Sequence, residues 1–118
     1  MKRTIVTISD NGTVNVPNNV RMSIPEIADM FGVYYLTAKK CIRTIEKSNI
    51  TRGDYFMSCT IEGEKVYPEY YGLEMIIAVA FRIRSPRTET FRQWIIAKVA
   101  KPDISAISGI FFQNGILN

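Results

Sequence analysis

The chain has 118 residues, of which 47% are hydrophobic and 22% charged, and its formal net charge is +4. This composition excludes the disordered class and predicts one globular domain at residues 1–101, followed by an apolar tail at 102–118 that is docked or partner-binding. The start of the chain lacks the apolar run of a signal peptide, and no segment is long enough to span a membrane, so we predict a cytoplasmic protein.

The first predicted element is a short β-hairpin. Residues 4–8 and 13–16 are rich in β-branched side chains and flank Asn11-Gly12. Asn-Gly is a strong signal for a two-residue turn between antiparallel strands, and Pro17 then ends the strand pattern.

A helix is predicted to begin at Ser23. The Ser23 hydroxyl can accept from the Glu26 amide while the Glu26 carboxylate accepts from the Ser23 amide, which is a capping box. Gly32 ends this helix, because glycine adopts the left-handed conformation cheaply. The apolar residues at helical spacing are Ile24, Ile27, Ala28 and Phe31.

A second helix is predicted at residues 33–47. From Tyr34 to Lys47 there are four cations and one anion, a balance of +3. Ser23 to Lys47 thus has the short helix, glycine turn and amphipathic second helix of a helix-turn-helix, whose second helix enters the DNA major groove. Its apolar face comprises Ala38, Cys41, Ile42 and Ile45.

The outer face of the second helix supplies most of the candidate DNA contacts. Lysines provide salt-dependent attraction to phosphates, whereas the fork of Arg43 matches the acceptor pair of guanine. Tyr34 and Tyr35 either contact DNA or pack against the first helix. The candidates here are Tyr34, Tyr35, Thr37, Lys39, Lys40 and Arg43.

A second hairpin is predicted at residues 55–67, where a wing would follow the second helix. Lys65, near its tip, is a candidate phosphate contact. Glu62 and Glu64 at the turn would repel phosphates, which favours a structural role for this hairpin over DNA contact.

Two further helices complete the predicted domain. Residues 72–83 are apolar on several sides, as in a buried helix, and Ser85-Pro86 is a typical start for the next helix. Arg84 and Arg87 are candidates for a second DNA-contacting patch, the alternative being ion pairs with nearby glutamates. The predicted apolar face of the last helix comprises Phe91, Trp94, Ile95 and Val99.

Catalysis is not expected from this composition. The chain has no histidine, which is the commonest general base and metal ligand. Cys41 and Cys59 have neither metal-site nor disulfide spacing, so we predict buried thiols. We therefore expect a protein that is not an enzyme and takes no cofactor, metal or small-molecule substrate.

Spaced motifs in the second half resemble a known family. Residues 71–76, 81–87 and 91–94 are similar in order to the Y-x-L-x-M-I, Y-R-x-x-S-x-R and F-R-x-W elements of the RhuM family, bacterial virulence-associated proteins often found on mobile elements. Phe81 stands where the family tends to have tyrosine, and family members continue beyond Trp94. The resemblance covers residues 1 to about 100 and implies a DNA-binding front.

These patterns together predict an α+β fold, a winged helix-turn-helix-like domain with short β-hairpins and two further C-terminal helices. We expect a regulatory module that binds double-stranded DNA as a homodimer, because one short recognition helix reads few base pairs. The alternative is a protein-interaction or adaptor module that uses the helix-turn-helix and the apolar tail for oligomerisation.

Overall fold

The computed structural model describes residues 4–48 and 59–100. These residues form an α+β fold of four helices and two antiparallel hairpins, as predicted at that level. The apolar tail and residues 55–58 of the predicted second hairpin lie outside the described residues. No helix in the described ranges is long and apolar enough to cross a membrane. The elements are β1 (Thr7–Ile8), β2 (Val14–Asn15), α1 (Ile24–Phe31), α2 (Tyr35–Lys47), β3 (Cys59–Glu62), β4 (Lys65–Pro68), α3 (Leu73–Ala80) and α4 (Pro86–Ala100).

The N-terminal hairpin forms, but with a longer turn than predicted. Ile8 pairs with Val14, the Ser9 amide donates to the Thr13 carbonyl at 2.9 Å, and the Gly12 amide donates to the Ser9 carbonyl at 3.0 Å. Gly12 has a φ of 88°, which suits the left-handed residue that closes a longer hairpin turn. The prediction of a two-residue Asn-Gly turn was therefore wrong.

The capping signals of α1 are confirmed. The Glu26 amide donates to the Ser23 hydroxyl at 3.4 Å, and the Ser23 amide donates to the Glu26 carboxylate at 2.9 Å. At the other end, Gly32 has a φ of 67° and the Val33 amide donates to the Ala28 carbonyl at 3.0 Å. Because residue 33 completes this cap, α2 begins two residues later than predicted.

One hydrophobic core joins the helices and the first hairpin. α1 packs against α2, α3 lies between α2 and α4, and α4 returns to α1 and β1. A backbone bridge between Met22 and Tyr71 ties the start of α1 to the residues before α3. The largest fully buried side chains are Tyr71, Phe31, Phe91, Met22, Ile27, Ile42, Ile45, Met75, Ile76, Val6, Val79 and Thr88.

Helix α4 holds the end of α3 and the end of α1. The Ser85 hydroxyl donates to the Phe31 carbonyl at 2.8 Å and accepts from the Thr88 amide at 3.1 Å. Arg92 donates to the Ala80 carbonyl at 2.6 Å and to the Ile83 carbonyl at 3.2 Å. These bonds satisfy carbonyls left unpaired at helix ends. The structure ends α3 at Ala80, whereas the sequence predicted an end at residue 83.

Two burial predictions fail. Val99 was predicted on the apolar face of α4, but it is 50% exposed, because the buried contacts of α4 are confined to its first half, at Thr88 and Phe91. Cys59 was predicted to be buried, but it lies exposed at the start of β3, while Cys41 is half-buried. Burial raises the pKa of the Cys41 thiol, which makes it a poor nucleophile at neutral pH.

Candidate nucleic-acid interface

The outward side of α2 is an exposed line of mixed apolar and basic side chains. Ala38, Ile42 and Ile45 are fully buried, and the helical repeat turns positions 36, 40 and 47 to the opposite side. Leu36 is 66% exposed, and Lys40 and Lys47 are exposed. We call Leu36, Thr37, Lys40, Thr44 and Lys47 the outward face of α2.

Arg43 lies beside this face but its guanidinium is used inside the protein. It donates to both carboxylate oxygens of Glu62 at 3.4 and 3.2 Å, to Glu46 at 2.9 Å and to the Tyr71 hydroxyl at 2.8 Å. It also lies 3.7 Å from the centre of the Tyr67 ring, and its side chain is only 13% exposed. Contrary to the prediction, Arg43 is therefore not available to a base edge here.

The charges around Arg43 compensate one another. Burial alone would lower the pKa of Arg43, but hydrogen bonds from its guanidinium to Glu62, Tyr71 and Glu46 raise it above its usual range. Burial and the nearby Glu46 carboxylate raise the pKa of Tyr71, so its hydroxyl keeps its proton and donates to Glu46 at 3.3 Å. The cluster joins α2, the β3–β4 hairpin and Tyr71, which lies two residues before α3.

Lys39 completes this cluster. Its ammonium lies 2.9 Å from a Glu62 carboxylate oxygen. Hydrogen bonds from Lys39 and then from Arg43 lower the pKa of Glu62. The expected repulsion between Glu62 and phosphates is thereby offset, because two cations of α2 neutralise this carboxylate.

The two tyrosines differ in environment. Tyr34 is 85% exposed immediately before α2, so it does not pack against α1. Tyr35 is 44% exposed and, with Ile61 and Tyr70, lines a groove of about 360 Å³ between the start of α1 and the second hairpin. Lys39 lies 5.9 Å from the centre of the Tyr35 ring, so Tyr35 is directed towards the hairpin side of α2.

The second hairpin projects two kinds of side chain. Ile61 pairs with Val66, and both are exposed. Lys65 is exposed next to the turn, beside Glu64, which is also exposed. Glu62 joins the hairpin to α2 through Lys39 and Arg43. Lys65 lies three residues further along the chain, at the start of β4.

The predicted basic patch around Ser85 is divided. Arg84 is exposed. Arg87 donates to Asp10 at 3.1 Å and to the Ile8 carbonyl at 3.3 Å, and its Cδ would lie 3.9 Å from a Cβ placed on Gly32. The start of α4 therefore lies against the turn between α1 and α2, with Arg87 used to hold β1 and Arg84 left exposed.

Three residues of the outward face were not among the predicted contacts. Leu36 is apolar, Thr44 donates its hydroxyl to the Lys40 carbonyl at 2.9 Å and leaves its methyl outside, and Lys47 follows Lys40 by seven residues. The seven-residue spacing was the available signal for Lys47. No group of three or more cysteine, aspartate or glutamate side chains within residues 4–48 and 59–100 is placed to hold a metal ion.

Comparison of the chain with protein-family profiles, with curated proteins and with solved structures gives no match. The resemblance to the RhuM family therefore rests on the sequence motifs alone and stays a prediction.

Proposed function

We propose that this protein is a DNA-binding module with a winged helix-turn-helix, in which α1 and α2 form the helical pair, α2 is the recognition helix and β3–β4 is the wing. The observation that supports the proposal best is the charge distribution around α2. Glu46 and Glu62 are occupied by Arg43 and Lys39. Lys40 and Lys47 make no ion pair with any residue in the described ranges, so the outward face is left with a positive field.

The dimensions of α2 suit the major groove. Its 13 residues span roughly 20 Å, and the major groove admits an α-helix. The N-terminal half, with Leu36 and Thr37, would face the bases, while Lys40 and Lys47 would contact phosphates. Lys65 on the wing and Arg84 beside the α1–α2 turn would add phosphate contacts on either side.

A regulatory role and a homodimer follow from the same proposal. One helix with few base contacts gives little specificity, so two half-sites about one turn of DNA apart are expected. The resemblance to the RhuM family supports a source on a bacterial mobile element or virulence-associated locus. The exposed side of α4 at Ile96 and Val99 is available for pairing of two copies.

Duplex binding across a salt series tests the proposal. With phosphate contacts from Lys40, Lys47, Lys65 and Arg84, a plot of log affinity against log salt should have a slope of roughly −3.6 per protomer. Replacing Lys40 and Lys47 together with alanine should make that slope shallower by about 1.8, because two phosphate contacts are lost. Fluorescence anisotropy with a labelled 24-base-pair duplex measures both values.

Lys98→Ala is the matched control, because Lys98 is an exposed lysine that lies 5.5 Å from the Trp94 ring on α4, away from α2. Its slope should equal that of the unmodified protein. Absence of binding at low salt, or the same slope for the double variant and Lys98→Ala, would contradict the proposal.

A protein-interaction module is the second candidate, favoured by the exposed apolar side chains Ile96 and Val99 on α4. If this is the function, the full chain should self-associate or capture a partner through α4 and should not bind duplex DNA even at low salt. The same binding series therefore separates the two candidates.

A further inference from the structure

The first turn of α2 displays apolar groups where a groove-reading helix presents its base contacts. Leu36 is 66% exposed and Tyr34 is 85% exposed, and Thr37 adds an exposed methyl and hydroxyl. Lys39 and Arg43 are held by Glu62, so the one arginine of α2, whose fork could read guanine, is already occupied. Lys40, one turn beyond Leu36, is the nearest cation without an ion pair in the described residues.

Single exposed leucines are ordinary on protein surfaces, but Tyr34 makes this turn unusual. Tyr34 occupies the N-cap of α2 and makes no side-chain capping hydrogen bond. Serine, threonine, aspartate or asparagine at such a position stabilises a helix by about 1 kcal/mol relative to residues that cannot cap. The chain forgoes this stabilisation and displays an aromatic ring two positions before Leu36.

The charges on the same line limit what can cover these groups. Lys40 follows Leu36 by one helical turn, and Lys47 lies two turns further on the same side. Two copies of the protein pairing through this face about a two-fold axis would bring these lysines near each other, which is unfavourable. A polyanion with an apolar group at its centre complements the face better, and the major groove of DNA offers one such group, the C5 methyl of thymine.

We propose that the start of α2 reads pyrimidine C5 methyl groups, through Leu36 and through the exposed side chains of Tyr34 and Thr37. This inference rests on the proposed function and names its specificity. The recognised feature is thymine, or 5-methylcytosine where the same methyl is present, and Lys40 and Lys47 supply affinity without sequence preference.

Four 24-base-pair duplexes test the inference with the full chain. They are alternating dA–dT, the same duplex with deoxyuridine for thymidine, alternating dG–dC, and the same duplex with 5-methyldeoxycytidine. Burial of one methyl group corresponds to about a four-fold change in affinity. We expect the thymine duplex to bind at least about four-fold more tightly than the uracil duplex, and methylation of cytosine to strengthen binding by a similar factor. If the methylated duplex binds more tightly in both pairs, an effect of DNA flexibility is excluded, because one pair removes methyl groups from dA–dT and the other adds them to dG–dC.

Leu36→Ala should bring both ratios towards one, whereas Lys40→Ala should weaken binding to all four duplexes and leave the ratios unchanged. Both side chains are exposed, and a thermal melt confirms that each variant is folded. Binding to all four duplexes with ratios of one would overturn the inference and leave DNA binding standing. Loss of self-association in Leu36→Ala, with unchanged ratios, would assign this face to protein contact and overturn it as well. Absence of binding to every duplex would instead contradict the proposed function.

Discussion

Arg43→Ala is expected to lower the free energy of unfolding by about 2 to 3 kcal/mol and the melting temperature by roughly 8 to 12 °C. This stability is lost because the Glu46 carboxylate and the Tyr71 hydroxyl no longer receive the hydrogen bonds that Arg43 donates to them. The expected loss is smaller than that for a fully buried ion pair, because Glu62 is 34% exposed and regains water. Chemical denaturation measures the free energy, and thermal unfolding followed by circular dichroism measures the melting temperature.

Lys40→Ala is the matched control on the same helix. Lys40 is exposed and makes no ion pair in the described residues, so its removal should change stability by less than about 0.5 kcal/mol. Arg43→Ala should therefore lose more stability than Lys40→Ala. Lys40→Ala should lose more DNA affinity per folded molecule than Arg43→Ala. An Arg43→Ala protein as stable as the original, with DNA binding selectively lost, would return Arg43 to the role of base contact.

Phe91→Ala is expected to cost about 3 to 4 kcal/mol of folding stability. Phe91 is fully buried, meets the Phe31 ring edge-on with centres 5.6 Å apart, and stacks on Trp94 with centres 5.8 Å apart. Truncation leaves a cavity between α1 and α4 that neighbouring rings fill only in part. Urea unfolding should show a lower midpoint with an unchanged slope.

Ile96→Ala supplies the comparison for Phe91→Ala, since Ile96 is a large apolar residue on the same helix but is 51% exposed. Its truncation should cost less than about 1 kcal/mol, because it leaves no cavity. Equal costs for the two variants would show that α4 does not pack against α1 through Phe91.

The Phe91 contacts also give a structural account of the F-R-x-W element. Phe91 and Trp94 pack against each other and towards α1, while Arg92 satisfies the carbonyls at the end of α3 and pairs with Glu89. All three side chains serve the packing of α4. In this chain the element therefore serves the packing of α4 and carries no information about what α2 binds.

Local signals predicted the α1–α2 pair well. The reciprocal hydrogen bonds of Ser23 and Glu26 and the cap at the left-handed Gly32 join residues no more than five positions apart, so the sequence displays them directly. The burial of Ala38, Ile42 and Ile45 follows from the helical repeat in the same way. Helix boundaries were less accurate. Val33 completes the cap of α1 instead of starting α2, and the carbonyl at the end of α3 is satisfied by Arg92 from another helix.

The role of Arg43 could not be read from the sequence. Its partners Glu62 and Tyr71 are 19 and 28 positions away along the chain, and no periodicity connects them. A cation on the basic side of an amphipathic helix is expected to be solvated until the fold brings a carboxylate to it. For the same reason, Lys39 was predicted to be a free phosphate contact, although Glu62 pairs with it in the fold. Lys47 was not predicted, although the sequence shows its seven-residue spacing from Lys40.

We propose that the outward face of α2 contacts DNA while Arg43 stays in its internal cluster. The most direct measurement is a titration of the isotope-labelled full chain with a 24-base-pair duplex, followed by amide chemical shifts in NMR spectra. We predict the largest shifts at Leu36, Thr37 and Lys40, smaller ones at Lys65, and little change at Tyr71. Shifts confined to α4 around Ile96 and Val99, or no shifts on α2 at saturating duplex, would contradict this account.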